Sequence, residues 1–418
     1  MSKETFYTAV DIGSNKVCSI VARVGAEGDL KILGTGMVTS QGMQKGRIDN
    51  IDEVKVAVKS SLEEAQRYIG RGVISGVYAG VSGSHISCLN TKDMMENPSA
   101  DEDIGPQHLD QLIRSSFPKV DPSQEILHMI PIGYEVDGME AVRNPAGLHA
   151  KRINVESHVV MGDAATLRNT VKAIEASRVS VRSLVVESLA SAESTLTGDE
   201  KEMGAVLVDI GGGTIDLMIY RQGNPWYSAV IPVGGNQLTR DLAVAMRIPY
   251  FLAEDIKLKW GNALPELVRA DEEVVVPSFQ GQPRRIAKRK DLCEPLHART
   301  VEMLKQILLR VRQSGLRQLP TAGLVITGGC AELPGIRELA LKTLGGSVRL
   351  AYPQGIAGLP TQLQKASTST AVGLLLWGIK HQGERRSYST RDRTVKVHRS
   401  LRERLMGGRK QEQGVQVG

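Results

Sequence analysis

Hydrophobic and polar positions along this chain follow a pattern that occurs twice. An apolar strand, a tight turn and a second apolar strand are predicted within residues 7–24, and the same arrangement returns within residues 205–220. Both copies contain the tetrapeptide Val-Asp-Ile-Gly, at 10–13 and at 208–211. Because a repeated unit of this kind decides the fold, it predicts two similar α/β lobes with a cleft between them.

Helical periodicity follows these hairpins. In the first half, Asp49 or Asn50 is placed to cap a helix whose apolar residues recur at helical spacing. A second amphipathic helix is predicted to begin near Asp163, and a strand at 180–186 follows it. Late in the chain the pattern predicts a further helix at 301–313. The alternation of strands and helices indicates sheets that are covered by helices.

Two segments fall outside the repeat and are interpreted as insertions. The first contains a predicted helix at 107–116 and extended stretches at 126–136 and 153–160, which is enough for a small α+β subdomain. The predicted units are a first lobe core at 1–83 and 163–200, an inserted subdomain at 84–162, a second lobe core at 201–244 and 321–380, a largely helical insertion in that lobe at 245–320, and a tail at 381–418.

Composition excludes several classes of protein. The 418 residues are 41% hydrophobic and 23% charged, which is ordinary for a globular chain and excludes disordered, collagen-like and disulfide-scaffold classes. The net charge of +6 belongs to the tail, since residues 381–418 hold ten Lys or Arg and four Asp or Glu. The neutral body argues against nucleic acid as a partner, and the basic tail favours contact with an anionic surface.

The cysteines form neither a metal nor a disulfide pattern. Cys18, Cys88, Cys293 and Cys330 are scattered without a CxxC pair, so a reducing cytoplasm is the expected compartment. The longest apolar run, at 371–379, is shorter than the about 20 residues that a membrane span needs. We therefore expect a chain that is neither secreted nor membrane-spanning.

Three glycine-rich turns carry the candidate chemistry. The strand at 206–210 runs into Gly211, Gly212, Gly213 and Thr214. Glycines in such a turn allow successive backbone N–H groups to surround one phosphate. The carboxylate of Asp209 at the end of the strand would repel a bare phosphate, so a Mg²⁺ ion between the two is predicted. A glycine triplet by itself is more often an ordinary hairpin turn, so the interpretation depends on the other turns.

The first hairpin repeats this arrangement. It places Asp11, Gly13 and Ser14 at equivalent positions and adds Lys16, whose charge can reach the β- and γ-phosphates. Taken alone, Lys16 is more often a solvated strand residue. The conjunction of the two hairpins makes coincidence a poor explanation, and Asp11 and Asp209 are the predicted Mg²⁺ partners, in contact through water.

The third turn follows a late apolar strand. It contains Gly328 and Gly329 and is interpreted as having no acid, which suits ribose or the face of a purine ring. Glu254 and Lys257, at i, i+3 on a predicted helix, can hold the ribose hydroxyls from the other side. A pair at this spacing is more often a solvated surface pair worth a few tenths of a kcal/mol.

The two hairpins and the third turn resemble the phosphate 1, phosphate 2 and adenosine motifs of the actin, Hsp70 and sugar kinase superfamily. Within it, the chain up to about residue 380 resembles the FtsA family of bacterial cell-division proteins. The stretches that carry the likeness are SQGMQKG (40–46), SGSHI (82–86), NPAGL (144–148), VDIGGGTID (208–216), VIPVGGN (230–236), TGG (327–329) and STAVGL (369–374). The resemblance implies a two-lobed actin-like (ribonuclease H-like) α/β fold in which 84–162 corresponds to that family's subdomain 1C.

The resemblance also implies a function. It is that of a protein that binds ATP and Mg²⁺, polymerises on the cytoplasmic face of the cell membrane at the division site, anchors the tubulin-like protein FtsZ there, and recruits later division proteins through residues 84–162. By motif match, the residues around the phosphates and Mg²⁺ are Asp11, Gly13, Ser14, Lys16, Asp209, Gly211, Gly212, Gly213 and Thr214. Those around the nucleoside are Glu254, Lys257, Gly328 and Gly329.

Hydrolysis is a separate expectation. Glu187 falls where actin-like ATPases orient the attacking water, and a carboxylate can do that work. An acid favoured by the dipole at a helix N-terminus is an equally good interpretation. At most slow ATPase activity is expected.

A basic stretch in the second insertion is the predicted partner site. It consists of Arg284, Arg285, Lys288, Arg289, Lys290 and Arg299. In the FtsA family this region receives the carboxy-terminal peptide of FtsZ, which contains acidic residues. By itself, a run of this kind usually indicates a solvated loop.

The tail departs from the family pattern, which is an amphipathic helix with aromatic residues that lies in the membrane interface. Here Val397, Leu401, Leu405 and Met406 form a short apolar stripe without Trp or Phe. Such a stripe binds weakly as a single copy and strongly only when many tails of a filament act together. We therefore expect reversible attachment to an anionic membrane.

Other functions stay open at this level. A small-molecule kinase of the superfamily, for sugars or acetate, would share both phosphate hairpins but needs a second substrate pocket with a general base, for which no acid pattern is present. An Hsp70-type chaperone needs a peptide-binding domain, and the residues after 380 are too few. A pilus-assembly actin-like scaffold is the nearest alternative, and it would lack the basic tail.

Overall fold

Strands and helices alternate along the residues that the computed structural model describes, which are 4–70, 73–96, 103–276 and 285–381. The strands in chain order are β1 (Thr5–Ile12), β2 (Lys16–Val24), β3 (Leu30–Thr39), β4 (Met43–Gln44), β5 (Arg47–Ile48), β6 (Gly76–Val81), β7 (Ser87–Glu96), β8 (Gln124–Val136), β9 (Met139–Val142), β10 (Arg152–Asp163), β11 (Ser180–Val186), β12 (Ala205–Ile210), β13 (Ile215–Arg221), β14 (Asn224–Ile231), β15 (Glu273–Val276), β16 (Arg285–Lys288), β17 (Leu324–Thr327) and β18 (Val348–Leu350). The helices are α1 (Ile51–Gln66), α2 (Pro106–Ser115), α3 (Ala164–Glu175), α4 (Glu187–Thr195), α5 (Gly198–Met203), α6 (Gly235–Met246), α7 (Tyr250–Trp260), α8 (Arg289–Gln313), α9 (Ile336–Leu344) and α10 (Ser369–Lys380).

Two five-stranded sheets with the same topology form the frame of the molecule. The first has the strand order β11-β6-β1-β2-β3 and the second has the order β18-β17-β12-β13-β14. In each sheet the three strands at one end are antiparallel neighbours and the other pairings are parallel. The predicted two-lobed α/β fold is confirmed, and the repeat in the sequence is a repeat of a whole sheet.

A hairpin turn closed by one backbone hydrogen bond stands at the same position in each sheet. The Gly13 N–H donates to the Lys16 carbonyl over 3.0 Å, and the Gly211 N–H donates to the Thr214 carbonyl over 2.9 Å. The strands that enter these turns, β1 and β12, are buried along almost their whole length. They therefore read as continuous apolar runs, as strands covered on both faces do.

Helix caps follow the predictions from the sequence. The Asn50 side chain accepts hydrogen bonds from the backbone N–H groups of Asp52 and Glu53 at the start of α1. The Asp163 carboxylate accepts one from the N–H of Thr166 over 2.8 Å at the start of α3. Each cap satisfies N–H groups that have no partner inside the helix, which fixes where these helices begin.

The residues between β6 and α3 form a sheet of their own with the order β7-β10-β8-β9, and α2 packs against it. Its core contains Leu109 and Leu112 from α2 together with Tyr134 and Ile153 from the sheet. Strands β7 and β9 were not predicted from the sequence. Most of β7 is at least partly exposed and rich in polar residues, so its apolar pattern is weak.

This inserted sheet also contacts the second lobe. The Asn90 side-chain amide donates to the Trp226 carbonyl over 3.1 Å, and His158 Nε2 lies 3.0 Å from Ser228 Oγ. The Asn224 amide donates to the Ile132 carbonyl over 2.8 Å. The insertion therefore bridges from the first lobe to the β14 edge of the second.

Helix α8 begins earlier than the sequence predicted, at Arg289 rather than at residue 301. Pro295 lies inside it, and a proline at that position reads as a helix boundary because it lacks an N–H group. The residues on either side of it are held by burial, since Leu292 and Leu296 both belong to the core of the second lobe. Tertiary packing therefore outweighs the local signal.

Helix α10 was not predicted, because residues 371–379 are almost uniformly apolar and show no helical period. It packs against α4 and β1 in the core of the first lobe, so the prediction that residues 321–380 belong to the second lobe core is wrong for this helix. Contact with α4 is so close that a Cβ on Gly373 would lie 1.8 Å from the Ala190 carbonyl oxygen. No described helix is long and apolar enough to cross a membrane.

We expect Gly373→Ala to destabilise the protein, because the added methyl must push α10 away from α4. Overpacking of this kind typically costs about 1–3 kcal/mol. The measurement is the urea concentration at half-unfolding, followed by far-UV circular dichroism.

The matched control is Gly198→Ala in α5, where an added Cβ meets nothing within 4 Å. This control should change the free energy of unfolding by less than about 0.5 kcal/mol. Equal midpoints for the two variants would contradict the close contact between α4 and α10.

Candidate functional site

A cavity of about 360 Å³ lies between the two sheets, at the ends of both hairpins. It brings together every residue that the sequence assigned to a nucleotide, and Glu187 as well. The predicted residues that line it are Asp11, Gly13, Ser14, Lys16, Glu187, Asp209, Gly211, Gly212, Gly213, Thr214, Glu254, Lys257, Gly328 and Gly329. Residues more than 300 positions apart in the sequence therefore share one wall.

The two hairpin turns face each other across the floor of this cavity. A Cβ on Gly213 would lie 2.4 Å from Ser14 Oγ, and one on Gly212 would lie 2.8 Å from Asn15 Oδ1. Only glycine fits such an approach without a shift of the neighbouring atoms. The turns of the two lobes are thus close enough for both to contact one small ligand.

Acidic side chains crowd the junction of the lobes. Burial is the main cause that raises the pKa of Asp11 to about 7, and the neighbouring Asp209 raises it further while Lys16 opposes the shift. Burial likewise raises the pKa of Asp216 to about 7 and that of Asp209 above its usual range. The pKa of Glu187, which lines the cavity, is raised by burial and then by the three aspartates. These carboxyl groups cannot all ionise without a compensating cation.

Hydroxyl groups of the first lobe hold Asp209 of the second. Ser191 Oγ on α4 donates to Asp209 Oδ2 over 2.5 Å, and Thr370 Oγ1 on α10 donates to the same oxygen over 2.9 Å. Both hydroxyls come from helices that pack on the first sheet. One carboxylate oxygen of Asp209 is therefore fixed by contacts across the cleft.

Asp216 is a buried acid next to the cavity that the sequence reasoning missed. It lies directly opposite Asp209 in the β12–β13 pairing and is only 3% exposed. Ser82 Oγ, in the first lobe, lies 2.7 and 2.8 Å from its two carboxylate oxygens. The sequence contains a signal for it, because burying a carboxylate in an apolar strand costs free energy unless the group has a hydrogen-bonding or ionic partner.

The third turn differs from the prediction in one respect. Glu332 ends the short 3₁₀ helix Gly329–Glu332 and lines the cavity, so the expectation that this turn has no acid is wrong. Glu254 and Lys257 do not form a solvated pair either. Their side chains are 28% and 10% exposed, and the Lys257 ammonium lies 2.7 Å from Glu254 Oε2.

The chemistry of this lining suits a hard cation with oxygen ligands. Within the described residues, no three His, Cys, Asp or Glu side chains are placed to hold a metal ion directly. Mg²⁺ commonly keeps several waters and takes the rest of its ligands from one or two carboxylates and substrate phosphates. Asp11 and Asp209 fit that role through water.

The predicted basic partner residues are placed unequally. Arg285 and Lys288 lie on β16 and are exposed, as is Lys290 at the start of α8. Arg289 pairs with Glu272 over 2.9 Å, and Arg299 pairs with Asp241 and Glu302, each over 2.5 Å. The charges of these two arginines are thus compensated locally. Arg284 and the tail residues Val397, Leu401, Leu405 and Met406 lie outside the described residues.

Solved structures support the two-lobed architecture. A chain of the PilM-PilN type IV pilus biogenesis complex aligns with a TM-score of 0.63 at 14% identity, over 91% of this chain and 99% of that one. MreB5 of Spiroplasma citri bound to AMPPNP aligns with a TM-score of 0.52 at 13% identity, over 97% of this chain and 99% of that one. At these identities the likeness shows the actin-like fold alone.

Sequence comparison is more specific. A family model described as "Cell division protein FtsA" matches residues 206–373, and one described as "SHS2 domain inserted in FTSA" matches residues 83–161. Cell division protein FtsA of Pseudomonas aeruginosa is 35% identical over 381 residues, which cover 91% of this chain and 91% of that protein. This chain therefore belongs to the FtsA family of cell division proteins.

Proposed function

We propose that this chain binds ATP with Mg²⁺ between its lobes, polymerises on the cytoplasmic face of the cell membrane at the division site, and anchors FtsZ there. The observation that carries the proposal is the convergence of both hairpin turns and the buried carboxyl groups on one cavity. The turns supply backbone N–H groups for phosphate oxygens. The carboxyl groups supply the reason for a divalent cation beside those oxygens.

Lys16 and the lobe junction favour a triphosphate. Lys16 lines the cavity and acts electrostatically on both Asp11 and Asp209, so it stands where the terminal phosphates and the cation would meet. Mg²⁺ supplies charge neutralisation of the phosphates when bound. Glu187 lines the same cavity and would orient the attacking water, with at most slow turnover.

The FtsZ peptide is proposed to bind beside β16. Val275 and Ile286 are directly paired in the β15–β16 hairpin and are 57% and 66% exposed. Exposed Arg285 and Lys288 lie on β16 beside Ile286, and exposed Lys290 follows at the start of α8. An apolar pair next to exposed cations that form no ion pair within the described part of the chain suits a peptide that carries both apolar and acidic residues. Later division proteins are proposed to bind the inserted sheet, and the basic tail to contact anionic lipid.

Replacing Asp209 by Asn should weaken Mg²⁺-dependent ATP binding by at least about tenfold, which corresponds to about 1.4 kcal/mol. The amide preserves the size of the side chain but removes its negative charge, and so removes its attraction for the cation. Affinity is measured by titration with a fluorescent ATP analogue, in Mg²⁺ and in EDTA.

Asp199→Asn, an exposed acid in α5, is the matched control and should bind like the unchanged protein. If Asp209→Asn binds the analogue with full affinity in Mg²⁺, the site assignment is wrong.

The nucleotide-free protein should become less stable as the pH rises from 6 to 8. The pKa values of Asp11 and Asp216 are about 7 in the folded chain and 3.8 as model values, so folding favours their protonated forms. That stabilisation is complete below about pH 4 and is lost as the pH rises through 7. Thermal unfolding at a series of pH values measures it.

Mg²⁺ with ATP should remove most of this pH dependence, because the cation favours the ionised carboxylates. Asp216→Asn should flatten the profile of the nucleotide-free protein. A nucleotide-free melting temperature that rises between pH 6 and 8 would contradict the burial of these groups.

Changing Lys288 and Lys290 together to Glu should weaken binding of the FtsZ carboxy-terminal peptide by at least about tenfold at low salt, since each substitution reverses a charge near the acidic peptide. Fluorescence anisotropy of the labelled peptide gives the affinity. The control is Lys31→Glu with Lys59→Glu, two exposed lysines of the first lobe. Equal affinities for the two double variants would rule out the β16 segment as the docking surface.

A further inference from the structure

A second cavity, of about 280 Å³, lies where the inserted sheet, the first lobe and the edge of the second lobe meet. The inserted sheet contributes Pro131 and Ile132 of β8 to its wall, the first lobe contributes Leu189 of α4 and Trp377 of α10, and the second lobe contributes Tyr220 of β13. Its lining residues differ from those of the cavity between the hairpin turns. The proposed nucleotide site therefore does not account for it.

This cavity continues into a larger one of about 680 Å³ between the inserted sheet and the second lobe. The residues that line both are Ile132, Gly133, Tyr134, Arg143 and Asn224. The two cavities therefore form one groove, which we call the insertion groove. It is largely apolar at the 280 Å³ end, where Leu127, Met129, Ile130, Leu189 and Trp377 line it.

The larger part of the insertion groove carries an excess of negative charge. Five acidic and three basic side chains line it. Two of the acids are compensated, because Lys92 lies 3.5 Å from Glu156 and Arg143 pairs with Glu202. Glu135 and Glu140 form no ion pair with another described residue. This part of the groove is therefore suited to a basic occupant.

The described chain ends at the wall of the same groove. Lys380, the last residue of α10, pairs with Glu193 of α4 over 2.9 Å. The ring of His381 stacks on that of Trp377 with 3.9 Å between the ring centres. All four residues line the 280 Å³ cavity. An ion pair and a stacked ring therefore hold the start of the tail at the apolar end of the insertion groove.

The tail that begins there has the charge and the length to occupy this groove. Residues 381–418 hold ten Lys or Arg and four Asp or Glu, which is the opposite sign to Glu135 and Glu140. The apolar stripe begins at Val397, 16 positions after His381, and a random coil of that length spans about 20–24 Å. Tethering at such a distance gives a local concentration of about millimolar, so weak contacts suffice for binding.

We propose that the tail folds back onto its own chain and occupies the insertion groove. Its apolar stripe, which consists of Val397, Leu401, Leu405 and Met406, fills the 280 Å³ cavity, and its arginines meet Glu135 and Glu140. One apolar stripe cannot be in the groove and in a lipid surface at the same time. Docking therefore competes with membrane attachment, and only this competition rests on the proposed function.

Photo-crosslinking in the full-length chain tests the docking. The probe p-benzoylphenylalanine takes the place of Leu401, and the purified protein is irradiated without nucleotide, lipid or FtsZ. Mass spectrometry should find the probe joined mainly to residues 127–134, which line the groove. An equal amount of ¹⁵N-labelled chain without the probe is present, so a crosslink within one chain is recognised by the absence of label from both peptides.

Charge reversal in the groove should release the tail. Glu135→Lys with Glu140→Lys should lower the yield of this crosslink at least about fivefold, because two attractive charges become repulsive. The matched control, Glu27→Lys with Glu175→Lys, adds the same charge at two exposed acids of the first lobe that do not line the groove and should keep the yield. Arg402→Ser with Arg404→Ser should also lower the yield, and it leaves the groove intact if the groove variant does not fold.

Flotation with vesicles of phosphatidylserine and phosphatidylcholine tests the competition. The groove variant should bind these vesicles at least about twofold more than the control variant, although both carry the same added charge. If no variant binds vesicles, the proposed lipid contact fails, and the crosslink still decides whether the tail docks.

Three results would overturn the docking itself. They are crosslinks spread over the surface without preference for residues 127–134, crosslinks to that segment only in the ¹⁵N-labelled chain, and a yield that neither the groove variant nor the arginine variant lowers. The second result would mean that the tail binds another copy of the chain rather than its own. Equal vesicle binding by the groove and control variants would overturn the competition with lipid.

Discussion

Burial of carboxyl groups where the two sheets meet is the constraint on which the rest of this structure depends. Asp11 and Asp209 are less than one tenth exposed, and the charge of Asp209 raises the electrostatic cost of ionising Asp11. Hydroxyl groups reduce that cost across the cleft, from Ser191 and Thr370 to Asp209 and from Ser82 to Asp216. A divalent cation would offset the rest of this electrostatic cost. The carboxyl groups beside the proposed cation site therefore also link the two lobes through hydrogen bonds.

The inserted sheet also links the two lobes, because it is part of the first lobe and forms hydrogen bonds with the second. His158 lies between Asn90, 2.8 Å from its Nδ1, and Ser228, 3.0 Å from its Nε2. Burial lowers the pKa of His158 to about 4, so this bridge stays neutral at ordinary pH. A displacement of β14 away from the inserted sheet would break the hydrogen bond between His158 and Ser228. The proposed ligand site in the cleft and the proposed partner surface on the insertion would therefore be linked through this contact.

The sequence predicts whatever depends on local pattern, and it does not predict contacts between distant segments. Both hairpins and the Asn50 and Asp163 caps have local signals, and the structure contains them. Pro295 suggests a helix boundary that does not exist, because α8 continues through it. The apolar run at 371–379 has no helical periodicity, so the sequence does not predict α10. The link between Ser82 and Asp216 joins residues 134 positions apart, and no local pattern specifies which hydroxyl meets which carboxylate. The hydrogen bonds of Lys257 with Glu254, with Thr239 and with the Gly235 carbonyl likewise form only once α6 and α7 are packed together.

The positive charge that the proposed FtsZ surface presents to a partner depends on which of its cations already form ion pairs within the protein. Arg289 and Arg299 count as cations in the sequence, yet their partners Glu272 and Asp241 are close enough to cancel most of their field at a distance. Lys288 is exposed on β16, in a hairpin whose paired apolar residues, Val275 and Ile286, face solvent. Exposed lysines mainly speed the encounter and are screened by salt, whereas burial of an apolar pair slows dissociation. In the proposed docking, specificity would therefore depend on the apolar pair, and the lysines would set its salt dependence.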